Sequence, residues 1–385
     1  MNGPTIGILA GEASGDNLGA GLMRELKTLY PTCTFVGIGG PRMMAQGLSS
    51  LVPMDRLSVN GFVDPIKRLP EFVGILHKLI KYYRANRPVV FIGVDFNVFN
   101  LLLERMLSRR GITTVHYVSP SVYAWRRGRV NRVASAARML LTLYPFEPKF
   151  YSHLPIEAVY VGHPLADEIT YDTGSDEARM VARRELGLPD ERLCIALLPG
   201  SRMSEVKYMA EAFLTAADLI KVRVGEVGFV IPCLRPDIAS WLKSAINRHH
   251  SLDVVQYDGN ARLALIACDA AIVKSGTGTL EAMLLRRPMV VSYKLGELTY
   301  RIVRRMVRSP FVALPNILAG RMLVPELLQD DATPQALADN LLSSLSALDK
   351  TSREPETLAE FARLHELLRQ GADKKAAQAV ARLFP

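Results

Sequence analysis

Short runs of β-branched and other apolar residues recur at positions 5–10, 34–38, 89–94, 113–118, 138–143 and 158–161, with helix-period stretches between them. Strands separated by helices pair in parallel, because a parallel connection needs a crossover of a dozen or more residues. The pattern therefore predicts an open parallel sheet covered by crossover helices. It breaks over 167–190, a polar stretch containing Thr173-Gly174-Ser175-Asp176 and a charged helix-like segment, which reads as a linker into a new domain. It then restarts at 193–198, 227–231, 253–256, 270–273 and 288–293. The expected organisation is a first α/β domain over 1–166 and a second over 167–345. A polar helical tail follows over 346–385, with Leu358, Phe361, Leu364 and Leu367 or Leu368 at helical spacing, able to return to the first domain or reach a partner subunit. A length of 385 residues suits two cores rather than one.

The formal net charge of +9 implies anionic company: nucleic acid, a phosphorylated substrate or an acidic membrane surface. Nucleic acid is disfavoured, because the basic residues are spread over helices and no recognised binding module appears. Cys33, Cys194, Cys233 and Cys268 show no Cys-x-x-Cys spacing, which argues against a zinc site or a disulfide framework and for reduced cytosolic thiols. The first residues lack the basic start and apolar stretch of a secretory signal. No uncharged run reaches the roughly 18 residues of a membrane span. The expectation is a cytoplasmic chain able to lie against a membrane.

In open α/β sheets, ligands bind beyond the carboxyl ends of the strands, where helix N-termini offer unpaired N–H groups. Three turns fall at such places. Gly11-Glu12-Ala13-Ser14-Gly15-Asp16 follows the first strand and reads either as a ligand-approaching turn or as a helix start capped by Ser14 or Asp16. In the second half, Gly200-Ser201-Arg202 can admit a phosphate, with the guanidinium neutralising it. Ser275-Gly276-Thr277 suits a pyrophosphate at a helix start, and Glu281, one turn inside, can accept both ribose hydroxyls. Either turn alone is compatible with a capped loop; two in one sheet favour a nucleotide diphosphate. Neither matches the P-loop pattern, so ATP hydrolysis is not indicated.

Taken together and in order, these turns, with Gly37-Ile38-Gly39-Gly40-Pro41-Arg42-Met43, His116-Tyr117-Val118-Ser119-Pro120-Ser121-Val122-Tyr123-Ala124-Trp125 and Leu314-Pro315-Asn316-Ile317-Leu318-Ala319-Gly320, resemble the lipid A disaccharide synthase family along nearly the whole chain. The resemblance implies a GT-B architecture: two Rossmann-like domains with parallel sheets facing a central cleft, and a helical C-terminal tail. It implies transfer from UDP-2,3-diacylglucosamine to 2,3-diacylglucosamine 1-phosphate, giving the β-1',6-linked disaccharide and UDP. By the same resemblance Ser201, Arg202, Ser275, Gly276, Thr277, Glu281 and Asn316 are expected on UDP. No metal or other cofactor is expected, since backbone dipoles and basic side chains can stabilise the leaving diphosphate. The family also suggests a homodimer.

Inverting transfer needs a base for the acceptor 6-hydroxyl. Asp95 closes a strand at the edge where the cleft should lie, with Glu12, Asp16 and His116 as rivals. The family pattern Asp-x-Pro-Asp-Phe-Asn is here Asp95-Phe96-Asn97-Val98-Phe99-Asn100, which lacks the proline and the second carboxylate. Tyr123 stands where tryptophan is usual. For the lipid, residues 66–84 place Ile66, Leu69, Val73, Leu76, Ile80 and Tyr83 on one stripe, with Lys67, Lys78 and Lys81 off it. Such a helix either docks on an anionic headgroup surface or turns its apolar side to the core. Residues 298–308, with Arg301, Arg304, Arg305 and Arg308 beside Ile302, Val303, Met306 and Val307, repeat the pattern. The expected location is the cytoplasmic face of the inner membrane, held peripherally. Competing readings are another GT-B UDP-sugar enzyme, such as an epimerase, or an inactive nucleotide-sugar-binding protein.

Overall fold

The computed structural model describes residues 3–57, 68–121, 128–297, 300, 301, 305, 309–349 and 356–384. They form two compact units, residues 1–167 with 368–385, and residues 168–367. In chain order the first unit runs β1 (Thr5–Ala10), α1 (Ala13–Leu29), β2 (Thr34–Ile38), α2 (Pro41–Ala45), β3 (Leu48–Ser50), α3 (Leu69–Ala85), β4 (Val90–Val94), α4 (Asn97–Ser108), β5 (Thr114–Tyr117), α5 (Gly128–Ala134), β6 (Met139–Thr142), β7 (Glu157–Tyr160) and α6 (Pro164–Glu168). The second runs α7 (Asp176–Leu186), β8 (Leu193–Leu198), α8 (Met203–Val224), β9 (Val227–Cys233), α9 (Pro236–Ile246), β10 (Val254–Asp258), α10 (Ala261–Ala267), β11 (Ala270–Lys274), α11 (Thr277–Leu284), β12 (Met289–Tyr293), α12 (Leu314–Ala319), β13 (Glu326–Leu328), α13 (Pro334–Asp349) and α14 (Glu356–Leu368). Last comes α15 (Ala372–Ala381), which belongs to the first unit.

Both sheets are parallel, as the crossover pattern predicts. The first has the order β3-β2-β1-β4-β5-β6-β7 and the second β10-β9-β8-β11-β12-β13. In each, the chain winds outward one way and then restarts on the other side of its first strand. The reversal falls between β1 and β4 in one sheet and between β8 and β11 in the other. At such a switch point the flanking connections diverge to opposite faces and leave a crevice beyond the strand ends, where ligands of open α/β sheets bind. The central strands carry continuous apolar runs because they are covered on both faces. Ile6 and Ile8 pack with Leu22, Met23 and Leu26 of α1; Ile195 and Leu197 pack with Phe213 of α8 and Phe229 of β9.

Two segments at the ends of the second unit make contacts that fix their place. The stretch read as a linker carries α7, capped by Ser175, whose Oγ accepts the Ala178 N–H at 3.2 Å. Arg183 of α7 is buried, donating to Asp269 at 2.6 Å and to the Ala267 carbonyl at 2.9 Å. A buried guanidinium with both partners fixed makes that segment part of the second unit rather than a tether. The helical tail also divides: α14 stays mostly with residues 168–367, while α15 lays Ala376, Ala377, Ala379 and Val380 into the first core beside α1. Arg24 pairs with Asp373 at 2.9 Å, and the N–H groups of Gly371 and Ala372 donate to Asp167 at 2.9 and 2.6 Å.

Candidate active site

At the switch point of the first sheet, β1 and β4 end side by side. Beyond β4 the chain makes a turn in which Asp95 (φ 50°) and Phe96 (φ 44°) are both left-handed. Non-glycine residues there cost about 1–3 kcal/mol each and persist only where surrounding contacts fix them. The contacts are on hand. The Asp95 N–H donates to the Tyr117 carbonyl at 2.8 Å, Asn100 Nδ2 donates to the Asp95 carbonyl at 2.8 Å, and Ser14 Oγ donates to Asp95 Oδ2 at 3.0 Å. Asp95 stays half-exposed, so its carboxylate is held yet reachable. The ring of Phe96 lies over Gly11, where a β-carbon would stand 2.5 Å from it. The small residue read as room for a ligand thus accommodates the protein's own phenylalanine.

The rival bases separate by environment. Glu12 is exposed at the start of α1. Asp16 is buried, and its carboxylate accepts the N–H groups of Gly40, Arg42 and Met43 at 2.8 to 3.0 Å, clamping the start of α2. Three of its acceptor positions are thus taken by backbone donors, which gives it a structural task at α2. His116 is likewise buried, against Glu104. Val122, Tyr123, Ala124 and Trp125 lie outside the described residues.

At the switch point of the second sheet, the β8–α8 and β11–α11 turns lie together. The chain turns at Gly200 (φ 130°). The N–H groups of Ser201 and Arg202 donate to Glu205 Oε2 at 3.2 and 3.4 Å. Glu205 is thereby a helix cap, and Lys274 Nζ donates to its other oxygen at 3.0 Å. Burial pushes the Glu205 carboxyl up, but the Lys274 ammonium and the two amides outweigh it and hold the group below its ordinary range. Those amides are therefore occupied, while the Arg202 guanidinium, 3.7 Å from Glu205 Oε1, has a side chain 73% exposed and within reach of a phosphate. Lys274 also lies over the Tyr293 ring, 4.9 Å from its centre.

At the α11 start, Gly276 and Thr277 are exposed, while Ser275 Oγ donates to the Val312 carbonyl at 2.9 Å. Glu281 is largely covered, 3.5 Å from Arg262 Nε; burial raises its carboxyl above the usual range, with the arginine opposing. Asn316, expected on UDP, meets groups of the protein itself. It is fully buried, its Oδ1 accepting the Leu323 and Val324 N–H groups at 2.7 and 2.9 Å, its Nδ2 donating to the Val324 carbonyl and Glu326 at 2.9 and 2.7 Å. Its amide faces the protein, so in this conformation it shapes the loop before β13.

Sequence reasoning passed over Glu205, Lys274 and Glu326. Glu205 had a signal, standing three residues after the cap position as an N-terminal capping glutamate does. Among the described residues, no group of three or more His, Cys, Asp or Glu side chains is arranged to hold a metal ion. Also among the described residues, no helix is long and apolar enough to cross a membrane. On α3, Leu76, Ile80 and Tyr83 are buried while Leu69 and Val73 are exposed, so the apolar stripe serves the core at one end and solvent at the other. Ile66, Lys67 and most of 298–308 lie outside the described residues.

A family model described as lipid-A-disaccharide synthetase matches residues 6–380. The chain belongs to that family. A lipid-A-disaccharide synthase from Methylobacillus flagellatus is 46% identical over 379 residues, covering 98% of each chain. One from Pseudomonas fluorescens strain SBW25 is 47% identical, covering 98% of this chain and 97% of that protein. Among solved structures, a glycosyltransferase from Rickettsia africae superposes with a TM-score of 0.62 at 9% identity, over 100% of this chain and 98% of that one. A UDP-GlcNAc 2-epimerase from Neisseria meningitidis bound to UDP-GlcNAc superposes with a TM-score of 0.63 at 11% identity, over 98% of each. At such identities the solved structures establish the fold, which is of the GT-B class. Family membership makes the chain a glycosyltransferase of lipid A disaccharide synthesis.

Proposed function

We propose that the chain joins UDP-2,3-diacylglucosamine to 2,3-diacylglucosamine 1-phosphate, forming the β-1',6-linked disaccharide 1-phosphate and releasing UDP. The family match over residues 6–380 carries this reading. The residues at the two switch points give it a mechanism. Asp95 takes the proton of the acceptor 6-hydroxyl as that oxygen attacks the anomeric carbon from the face opposite UDP. As the bond to the β-phosphate oxygen breaks, its electron pair passes to the diphosphate. Arg202 and the N–H groups at Gly276 and Thr277 meet this growing charge, and so bind the transition state more tightly than the ground state. Ser275 lines the same turn, and Glu281 receives the ribose hydroxyls. In this scheme the fixed donors and the guanidinium do what a divalent cation does in other sugar transfers.

The acyl chains call for an apolar, basic surface. Leu69 and Val73 of α3 and Val98 and Leu102 of α4 are exposed, with Lys81 and Arg84 further along α3. These support peripheral attachment to an anionic membrane on its cytoplasmic face. Incubating the protein with both lipid substrates and weighing the products by mass spectrometry tests the whole reading. The disaccharide 1-phosphate is expected; UDP binding without it would turn the chain into a nucleotide-sugar-binding protein.

A further inference from the structure

Beneath the Asp95 turn lies a run of polar side chains, most of them sealed from solvent. Glu104 and His116 have fully buried side chains, with Glu104 Oε1 2.8 Å from His116 Nδ1. On the other side of the ring, His116 Nε2 lies 3.0 Å from Asn97 Oδ1. Asn97 is the first residue of α4, two after Asp95. Asn100, also fully buried, donates from Nδ2 to the Val94 carbonyl at 3.2 Å as well as to that of Asp95. Asn97, Asn100 and Glu104 share one face of α4, and that face is turned inward. Strand β4 leaves room for it: a β-carbon on Gly93 would stand 2.0 Å from Glu104 Oε1.

With Asn97 Oδ1 turned to the ring, the donor pattern follows. Asn97 Oδ1 can only accept, so His116 Nε2 carries a hydrogen. One further proton then lies between His116 Nδ1 and Glu104 Oε1. On either atom, it leaves Nε2–H pointing at Asn97. Burial pushes the Glu104 carboxyl up, with His116 opposing. Among the described residues, Glu104 Oε2 and Asn100 Oδ1 have no hydrogen-bond partner. Apolar side chains of similar volume would stabilise this place better than a half-satisfied polar cluster. What the cluster does supply is a tie from β5 to the first residue of α4, next to two left-handed residues that relax unless fixed from both sides.

We propose that Glu104, His116 and Asn97 form a positioning relay that locks the strained turn and so sets the reach and angle of the Asp95 carboxylate toward the acceptor hydroxyl. The inference rests on Asp95 being the base. Asn97→Ala in the full chain is expected to lower kcat roughly 10- to 100-fold, the cost of misplacing a reacting group by about 1 Å, with the donor KM held within about twofold. Asp95→Asn alone is expected to fall by roughly a hundredfold to ten-thousandfold, and adding Asn97→Ala to it should cost nothing more, because the two act through one carboxylate. Glu104→Gln, whose amide still donates to Nδ1, should restore most of the kcat that Glu104→Leu loses. If Asp95→Asn collapses while Asn97→Ala keeps its kcat, the relay is overturned and Asp95 stands. Losses that multiply in the double variant also overturn it. Near-normal turnover by folded Asp95→Asn removes both the base and the relay.

Discussion

Asn316 is where residue type and structure part company most sharply, and replacing it distinguishes two roles. Asn316→Ala strands the N–H groups of Leu323 and Val324 and the Val324 carbonyl in a buried site, and removes a contact to the Glu326 carboxylate. Neutral hydrogen bonds contribute about 0.5–1.5 kcal/mol and charged ones about 1.5–3, while a stranded buried group costs about 1–3. With some relaxation of the loop, the expected loss is about 3–5 kcal/mol, a large part of a domain's ordinary stability. In urea that moves the unfolding midpoint by about 2 M. Trp241 sits in α9 of the same unit, so its fluorescence in a Trp125→Phe background reports this transition. Asn316→Asp should be at least as damaging: it keeps the two accepted bonds but sets a carboxylate oxygen against Glu326. A latch therefore predicts lost stability in both variants. If Asn316→Ala unfolds within about 1 kcal/mol of the parent while calorimetry shows weakened UDP binding, the latch is refuted and the amide is a direct nucleotide contact.

Arg202→Ala should weaken UDP binding about 10- to 100-fold by calorimetry, the loss of a charge-assisted contact. Its melting temperature should stay put, because the side chain is largely exposed. Flotation with anionic liposomes should carry the protein upward at low salt and release it as salt screens the basic residues; protein left wholly in the soluble fraction at low salt would end the membrane reading. His163 is buried and its pKa is held down to about 4 by that burial, with Nδ1 accepting the Leu165 N–H at 3.2 Å. Between about 6.5 and 4 the unfolded chain binds a proton that the folded one refuses, so acidification through this window should destabilise the first unit by up to about 3 kcal/mol. Urea titrations at the two ends should show that loss, and His163→Asn should remove it.

Much of this was legible because the central strands are covered on both faces and therefore read as unbroken apolar runs. Strands β3 and β13, three residues each, were missed. Leu48–Ser50 and Glu326–Leu328 are too short for any period to show, and they pair only because a neighbouring strand is already in place. The turns around Asp95, Arg202 and Ser275 could be located from their place after a strand. Whether a polar side chain there turns outward or inward could not. Asp16 is claimed by amides near residue 40 and Asn316 by the approach to β13, contacts that exist only once the chain has folded. The inward polar face of α4 did have a signal, since Asn97, Asn100 and Glu104 recur at helical spacing among its apolar residues.

The return of α15 to the first unit bears on how the protein is made. Residues 1–167 leave the ribosome first, yet the side of α1 at Gly21 and Arg24, which meets Asp373, stays uncovered until residues 372–381 have been synthesised. The second unit, contiguous over 168–367, is complete earlier. Domains ordinarily fold in the order of synthesis; here the first begun is the last finished. Throughout translation of the intervening 200 residues, the nascent chain lacks Ala376, Ala377 and Val380, whose side chains complete the first core, and a groove stands open in their place. A frameshift near residue 370 would leave that groove permanently open rather than merely trimming a tail.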